Sequence, residues 1–230
     1  MTKNHKRAAI FLIAIAFLFL SGCNVIKINT PNNELVRSTG KIPTEYKDPV
    51  ATITLKGGQT MLITLKPQNA PNTVCNFIAL ANEGFYDGQE FYNIMTGYTA
   101  LAGCPNNDGT GDAGYYIQGE FDANNFYNDV AHIKGTLSML RQIGTDRTDS
   151  AKFNTASSQF FLCLNDVGSV CDGYYAAFGI MTDVESLKVV DRISATSTDP
   201  YGYTFNPLVI ETIRVDTFGF EYKNPDTIKK

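Results

Sequence analysis

The 230-residue sequence is poor in the residues on which most active-site chemistry rests. It has two histidines, His5 near its start and His132 in its body. One histidine in the body, among cysteines whose spacings fit no zinc pattern, excludes the common zinc sites. There is no Cys-x-x-Cys, so a thioredoxin-like redox centre is excluded. The glycines Gly109 and Gly111 lack the Lys-Ser/Thr ending of a phosphate loop. Setting Gly109 as the glycine of a calcium loop puts Cys104 first and Tyr115 twelfth, where carboxylates are needed. No motif sets a serine or cysteine nucleophile beside His132. The chain is therefore expected to hold no metal and no cofactor.

Long apolar runs are also scarce. The one present spans residues 8–20, 13 in all, after Lys3, Lys6 and Arg7. That is the pattern of a secretory signal and is short for a membrane span of about 20 residues. Residues 1–22 are read as a signal peptide. Leu20-Ser21-Gly22-Cys23 resembles a bacterial lipobox, which implies lipidation of Cys23 and a place in the bacterial cell envelope on the extracytoplasmic side. Without Lys3, Lys6 and Arg7, the 19 basic residues no longer approach the 23 acidic ones, and the remainder stands at −7. Such a chain suits neither nucleic acid nor anionic headgroups. The lipid is the membrane contact expected.

Residues 23–49 hold proline, asparagine and glycine with little periodicity and are read as a flexible tether. About 25 such residues reach roughly 25–30 Å. Residues 50–220 are read as one domain and 221–230 as a polar, frayed tail. Alternation predicts strands at 50–55 and 60–65 around a turn at Lys56-Gly57-Gly58-Gln59. Pro71 opens a helix with Val74, Phe77, Ile78 and Ala81 on one face, and Gly84 ends it. Further strands are expected at 136–140, 159–164, 176–181 and 209–216, with a second helix at 184–193 capped by Asp183. The fold class is mainly β, a closed antiparallel β-barrel capped by two helices. Cys75, Cys104, Cys163 and Cys171 allow three disulfide pairings in an exported chain, or serve as buried thiols.

Several motifs follow one another along 70–179. They are Ala70-Pro71-Asn72-Thr73-Val74-Cys75-Asn76-Phe77, Gly84-Phe85-Tyr86-Asp87-Gly88, Gly109-Thr110-Gly111, Glu120-Phe121, His132-x-Lys134-Gly135-x-Leu137-Ser138-Met139, Ser158-Gln159-Phe160-Phe161, and Asp172-Gly173 with Phe178-Gly179. In this order they resemble the cyclophilins, which are peptidyl-prolyl cis-trans isomerases. The resemblance implies that Gln159 hydrogen-bonds the substrate backbone and that Phe161 floors a proline pocket. It also implies that Gly109 borders the groove. Tyr98 stands where the family usually has phenylalanine, and Tyr175 where many members have histidine. The expected partners are proline-containing peptides or unfolded exported proteins.

The chain departs from the family where catalysis is concentrated. Phe91-Tyr92-Asn93 stands where the family reads Phe-His-Arg, so the catalytic arginine is Asn93. Leu101 replaces a glutamine, and Val170 a tryptophan or other large residue. Arg141, beside the groove strand, is a candidate replacement cation, and Arg147 a second. The alternative is a non-catalytic lipoprotein that holds a proline-containing peptide or protein.

Overall fold

The computed structural model describes residues 25–27, 35–38 and 46–230. The signal segment and Cys23 lie outside the described residues. The strands are β1 (Val25–Lys27), β2 (Leu35–Ser38), β3 (Val50–Leu55), β4 (Thr60–Leu65), β5 (Asn93–Met95), β6 (Thr99–Ala102), β7 (Thr136–Met139), β8 (Phe160–Cys163), β9 (Ala177–Ile180), β10 (Ile210–Asp216) and β11 (Phe220–Glu221). The helices are α1 (Pro71–Asn82), α2 (Gly168–Cys171) and α3 (Val184–Ser194).

Eight strands form one antiparallel sheet in the order β10-β3-β4-β9-β7-β8-β6-β5. It curls until its ends meet. There β10 and the run into β5 touch through the Glu90–Val209 bridge and the bonds Phe91 N to Leu208 O and Ile210 N to Gln89 O. The expected barrel is thus a curled sheet whose seam is a few bonds instead of a full ladder. Alternation decides which side chains face inward. Ile53, Ile63, Leu65, Ile94, Leu137, Phe160, Leu162 and Phe178 are buried inside. Phe77 of α1 meets Tyr86, Phe160 and Phe178 at ring-centroid distances of 5.4, 5.7 and 5.0 Å, which ties the helix to the sheet.

Pro71 sits in the first turn of α1, and Ala70 supplies no side-chain cap. Glu120 serves instead: its two carboxylate oxygens accept Asn72 N at 2.9 Å and Thr73 N at 2.8 Å. Negative charge at a helix N-terminus is favourable there. Asp183 caps α3, as expected, by accepting Ser186 N.

Two expectations at the ends give way. Residues 23–49 were expected to be tether alone, yet β1 and β2 pair with each other, and β2 pairs onto β11. Strand edges leave backbone groups unpaired, and β11 supplies their partners. Tyr46 also packs edge-on against Phe220. The tail is not frayed. Ile228 and Tyr116 exchange backbone bonds, Asn72 and Asp226 are doubly bonded, and Lys230 pairs with Asp112. Cys75, Cys104, Cys163 and Cys171 are buried, and none of the possible pairings forms among them.

Candidate functional site

Strand register sets the site. Asn93 lies opposite Leu101, Leu101 opposite Phe161, and Phe161 opposite Ser138. Period-two alternation places all four side chains on the outer face, since Ile94, Ala100, Leu162 and Leu137 point into the core. A row therefore crosses four strands, running from an amide through an alkyl group and a phenyl ring to a hydroxyl.

Phe161 anchors a second apolar cluster on this outer face. It is buried with Tyr175, Cys163, Val167 and Cys171, and Tyr98, Leu101 and Val170 pack around them. Tyr175 meets Phe161 edge-on at 5.4 Å. From below, the His132 ring stacks on Phe161 at 5.8 Å and 16°. His132 is itself clamped, with Nδ1 2.7 Å from Asp172 Oδ1 and Nε2 2.9 Å from Ser138 Oγ. Burial pushes its pKa down, with Asp172 pulling the other way, so the imidazole is neutral. The Asp172 carboxylate then accepts from Nδ1–H, and Nε2 accepts from Ser138. Burial also pushes the Tyr98 phenol up to about 12 and raises the Cys163 and Cys171 thiols. At neutral pH the His132 ring, the Tyr98 phenol and the two thiols are thus uncharged.

Gln159 stands at the mouth of this cluster, and its carboxamide is tied on every side. Its Nε2 donates to Gly109 O at 2.9 Å and Gly111 O at 2.7 Å. Its Oε1 accepts the Tyr92 hydroxyl at 2.6 Å. One lone pair on Oε1 remains for an incoming N–H. The backbone under Gln159 needs Gly103. At φ +86, a Cβ there would fall 2.3 Å from Ser158 O. Beside Gln159 a cavity of about 150 Å³ opens, lined by Gly109, Thr110, Leu140, Arg141 and Gln142 among others.

The two candidates for cationic chemistry stand differently. Asn93 is half-buried at the end of the row, and its Nδ2 donates to Tyr201 O at 2.8 Å. Arg141 is 4 % exposed. Its guanidinium donates to the carbonyls of Tyr174, Gln142 and Arg147 and lies 4.9–5.4 Å from the rings of Tyr175, Phe153 and Phe121. It pins the 142–153 loop against the aromatic cluster, with little surface left for a substrate. Arg147 stacks on Tyr174. Tyr98 and Tyr175 pack with Phe161, and Gly109 is bonded to Gln159 beside them. Reading from sequence missed two contributors, Tyr92 behind Gln159 and His132 beneath Phe161. Both lay inside motifs already noted, but motifs carry no contacts.

The pattern of the family described as cyclophilin type peptidyl-prolyl cis-trans isomerase/CLD matches residues 50–215. This chain belongs to that family. A peptidyl-prolyl cis-trans isomerase of Synechococcus elongatus is 40% identical over 131 residues, 57% of this chain and 79% of the relative. One from Helicobacter pylori is 37% identical over 147 residues, 64% of this chain and 81% of the relative. A crystal structure of a Cryptosporidium parvum cyclophilin type isomerase, obtained in the presence of the dipeptide Ala-Pro, superposes with TM-score 0.61 at 24% identity. It covers 73% of this chain and 98% of that one, a likeness of fold.

Proposed function

We propose that this cyclophilin is a peptidyl-prolyl cis-trans isomerase that grips X-Pro segments at Phe161 and turns them over slowly. The observation that carries this is the outer-face cluster: a phenyl floor held by His132, walled by Tyr98, Leu101 and Tyr175, beside the fixed amide of Gln159.

The chemistry follows from the amide. A planar X–Pro bond resists rotation by about 18–20 kcal/mol because the nitrogen lone pair is delocalised into the carbonyl. The planar form is the more polar, and water favours it. A dry apolar pocket favours the twisted form and so lowers the barrier without any nucleophile. Gln159 holds the peptide backbone through its free lone pair, while Phe161 and Tyr98 enclose the proline ring. What is reduced is the donor to the twisted nitrogen. Removal of one preorganised donor elsewhere in enzymology lowers rates roughly 10²–10³-fold. Asn93 is neutral, and its amide already serves Tyr201.

That same bond favours a second reading, a module that binds prolyl segments without isomerising them. We further infer from the Leu20-Ser21-Gly22-Cys23 box that the chain is lipidated at Cys23 and held at the extracytoplasmic side of a bacterial membrane, where newly exported proteins fold. Mass spectrometry of detergent-extracted protein would find diacylglyceryl on an N-terminal Cys23; an unmodified Cys23, or an N-terminus at another residue, would oppose it.

The groove itself is tested by titrating the ¹⁵N-labelled protein with an Ala-Pro-Phe peptide. Amide shifts concentrated at Leu101, Gln159 and Phe161 support the site. Shifts elsewhere, or none, contradict it.

A further inference from the structure

Residues 198–204 form a small, firmly built hairpin over the outer edge of β5. Thr198 and Thr204 bridge its base, and Asp199 N bonds Tyr203 O at 2.9 Å. The Asp199 carboxylate turns inward to accept Tyr201 N at 2.8 Å and Tyr203 N at 3.0 Å. Two bonds fasten the hairpin to the row: Asn93 Nδ2 to Tyr201 O, and Ile94 N to Gly202 O at 2.7 Å. Gly202, at φ +89, is required there, because a Cβ would lie 2.9 Å from Asn93 Nδ2.

The side chains on this frame are unusual for a loop. Tyr201 is 79% exposed, Tyr203 49% and Phe205 68%. Met95, on the same face of β5 as Asn93, is exposed as well. From Pro200 to Val209 the sequence has no charged residue. Exposed aromatic groups gathered on a rigid mount mark a surface that something covers. The hairpin is bonded directly to Asn93 and Ile94 of the strand that ends the row. The patch is therefore continuous with the groove.

We infer that this hairpin extends the peptide groove and selects prolyl segments carrying a large uncharged, preferably aromatic, side chain a fixed distance from the proline. This rests on the prolyl-groove reading above and deepens it. The distance follows from the sheet. Phe161 and Asn93 are two strand spacings apart, about 10 Å, and the hairpin lies one spacing further, about 14 Å. An extended peptide covers that in about four residues. Lack of charge in the patch argues for an apolar residue over an ionic one, and aromatic pairs add attraction beyond simple burial.

The test uses nine-residue peptides with proline central among alanines, in which one alanine at a time becomes phenylalanine. Affinity and exchange rate are measured by NMR for the protein and for its Tyr201→Ser/Phe205→Ser and Tyr127→Ser variants. The expected result is about tenfold tighter binding when phenylalanine stands three to four residues from proline on one side. That preference disappears in the double variant and persists in Tyr127→Ser, which alters an exposed aromatic residue away from the groove. Peptides handled equally well at every phenylalanine position would overturn the inference and leave the prolyl groove standing. A preference that survives the double variant would overturn it too. No handling of any peptide would sink both. A double variant that instead loses self-association in sedimentation, or loses liposome binding, while the peptide series stays flat, would reassign the hairpin to a second copy or a lipid surface.

Discussion

The side-chain amide of Asn93 donates to the carbonyl of Tyr201 across 2.8 Å, joining residues 108 apart in sequence. Asn93 is thus neutral and tied to the hairpin; on the reading proposed above, it stands where a catalytic cation would act. Asn93→Arg should raise prolyl turnover about tenfold or more, less than the roughly 10²–10³ a fully preorganised donor gives, because Leu101 cannot hold the guanidinium. Exchange kinetics of the purified variant would check this. An unchanged rate would show that Asn93 is not what limits catalysis.

Tyr92 and Gln159 form the second critical pair. Tyr92→Phe removes the hydroxyl that fixes Oε1 while keeping the ring beneath Gly109. Stability should fall by about 1 kcal/mol, the usual value of one hydrogen bond. Peptide affinity should weaken more than the rate at saturation, since Gln159 would grip the substrate without its brace. Urea titration and the separation of KM from kcat measure the two effects.

Arg141 is read as a structural pin. Arg141→Ala leaves three carbonyls without their donor and three rings without their cation. A loss of about 3 kcal/mol is expected. Chemical denaturation would register it. A variant of undiminished stability but abolished turnover would instead make Arg141 the replacement cation.

The buried Glu120 carboxyl has its pKa pushed up to about 6 from 4.5, chiefly by burial, with the amides of Thr73 and Asn72 pulling it down. Its folded form thus binds a proton more readily than the unfolded chain. Its contribution is most favourable below pH 4.5 and is lost as pH rises through 6. The loss is on the order of 2 kcal/mol. His132 acts in the opposite sense: its depressed pKa favours the fold above about 6.5 and less so in acid. Stability curves of Glu120→Gln and the parent chain, compared between pH 4.5 and 6.5, should differ in slope by the Glu120 part. Parallel curves would contradict the assignment.

Much of the fold was legible because its elements announce themselves locally. The β3–β4 hairpin alternates cleanly, Pro71 and Gly84 bracket α1, and Asp183 caps α3. Strands β5 and β6 escaped notice because Asn93–Met95 and Thr99–Ala102 are three and four residues long and carry no apolar alternation. The docked tail and the β2–β11 pairing escaped because they are satisfied by partners far away in sequence. The same reason separates site from motif. Gln159 and Phe161 were visible as letters in a familiar order. The Tyr92 brace, the His132 platform and the Asn93–Tyr201 tie are contacts between segments that only the folded sheet brings together.

The most direct measurement is NMR exchange on an Ala-Pro-Phe peptide with and without the protein from residue 49 onward. The account predicts cis/trans exchange faster than the spontaneous rate of tens to hundreds of seconds, but slower than an arginine-bearing relative achieves. Peptide that neither exchanges faster nor shifts on addition of protein would contradict it.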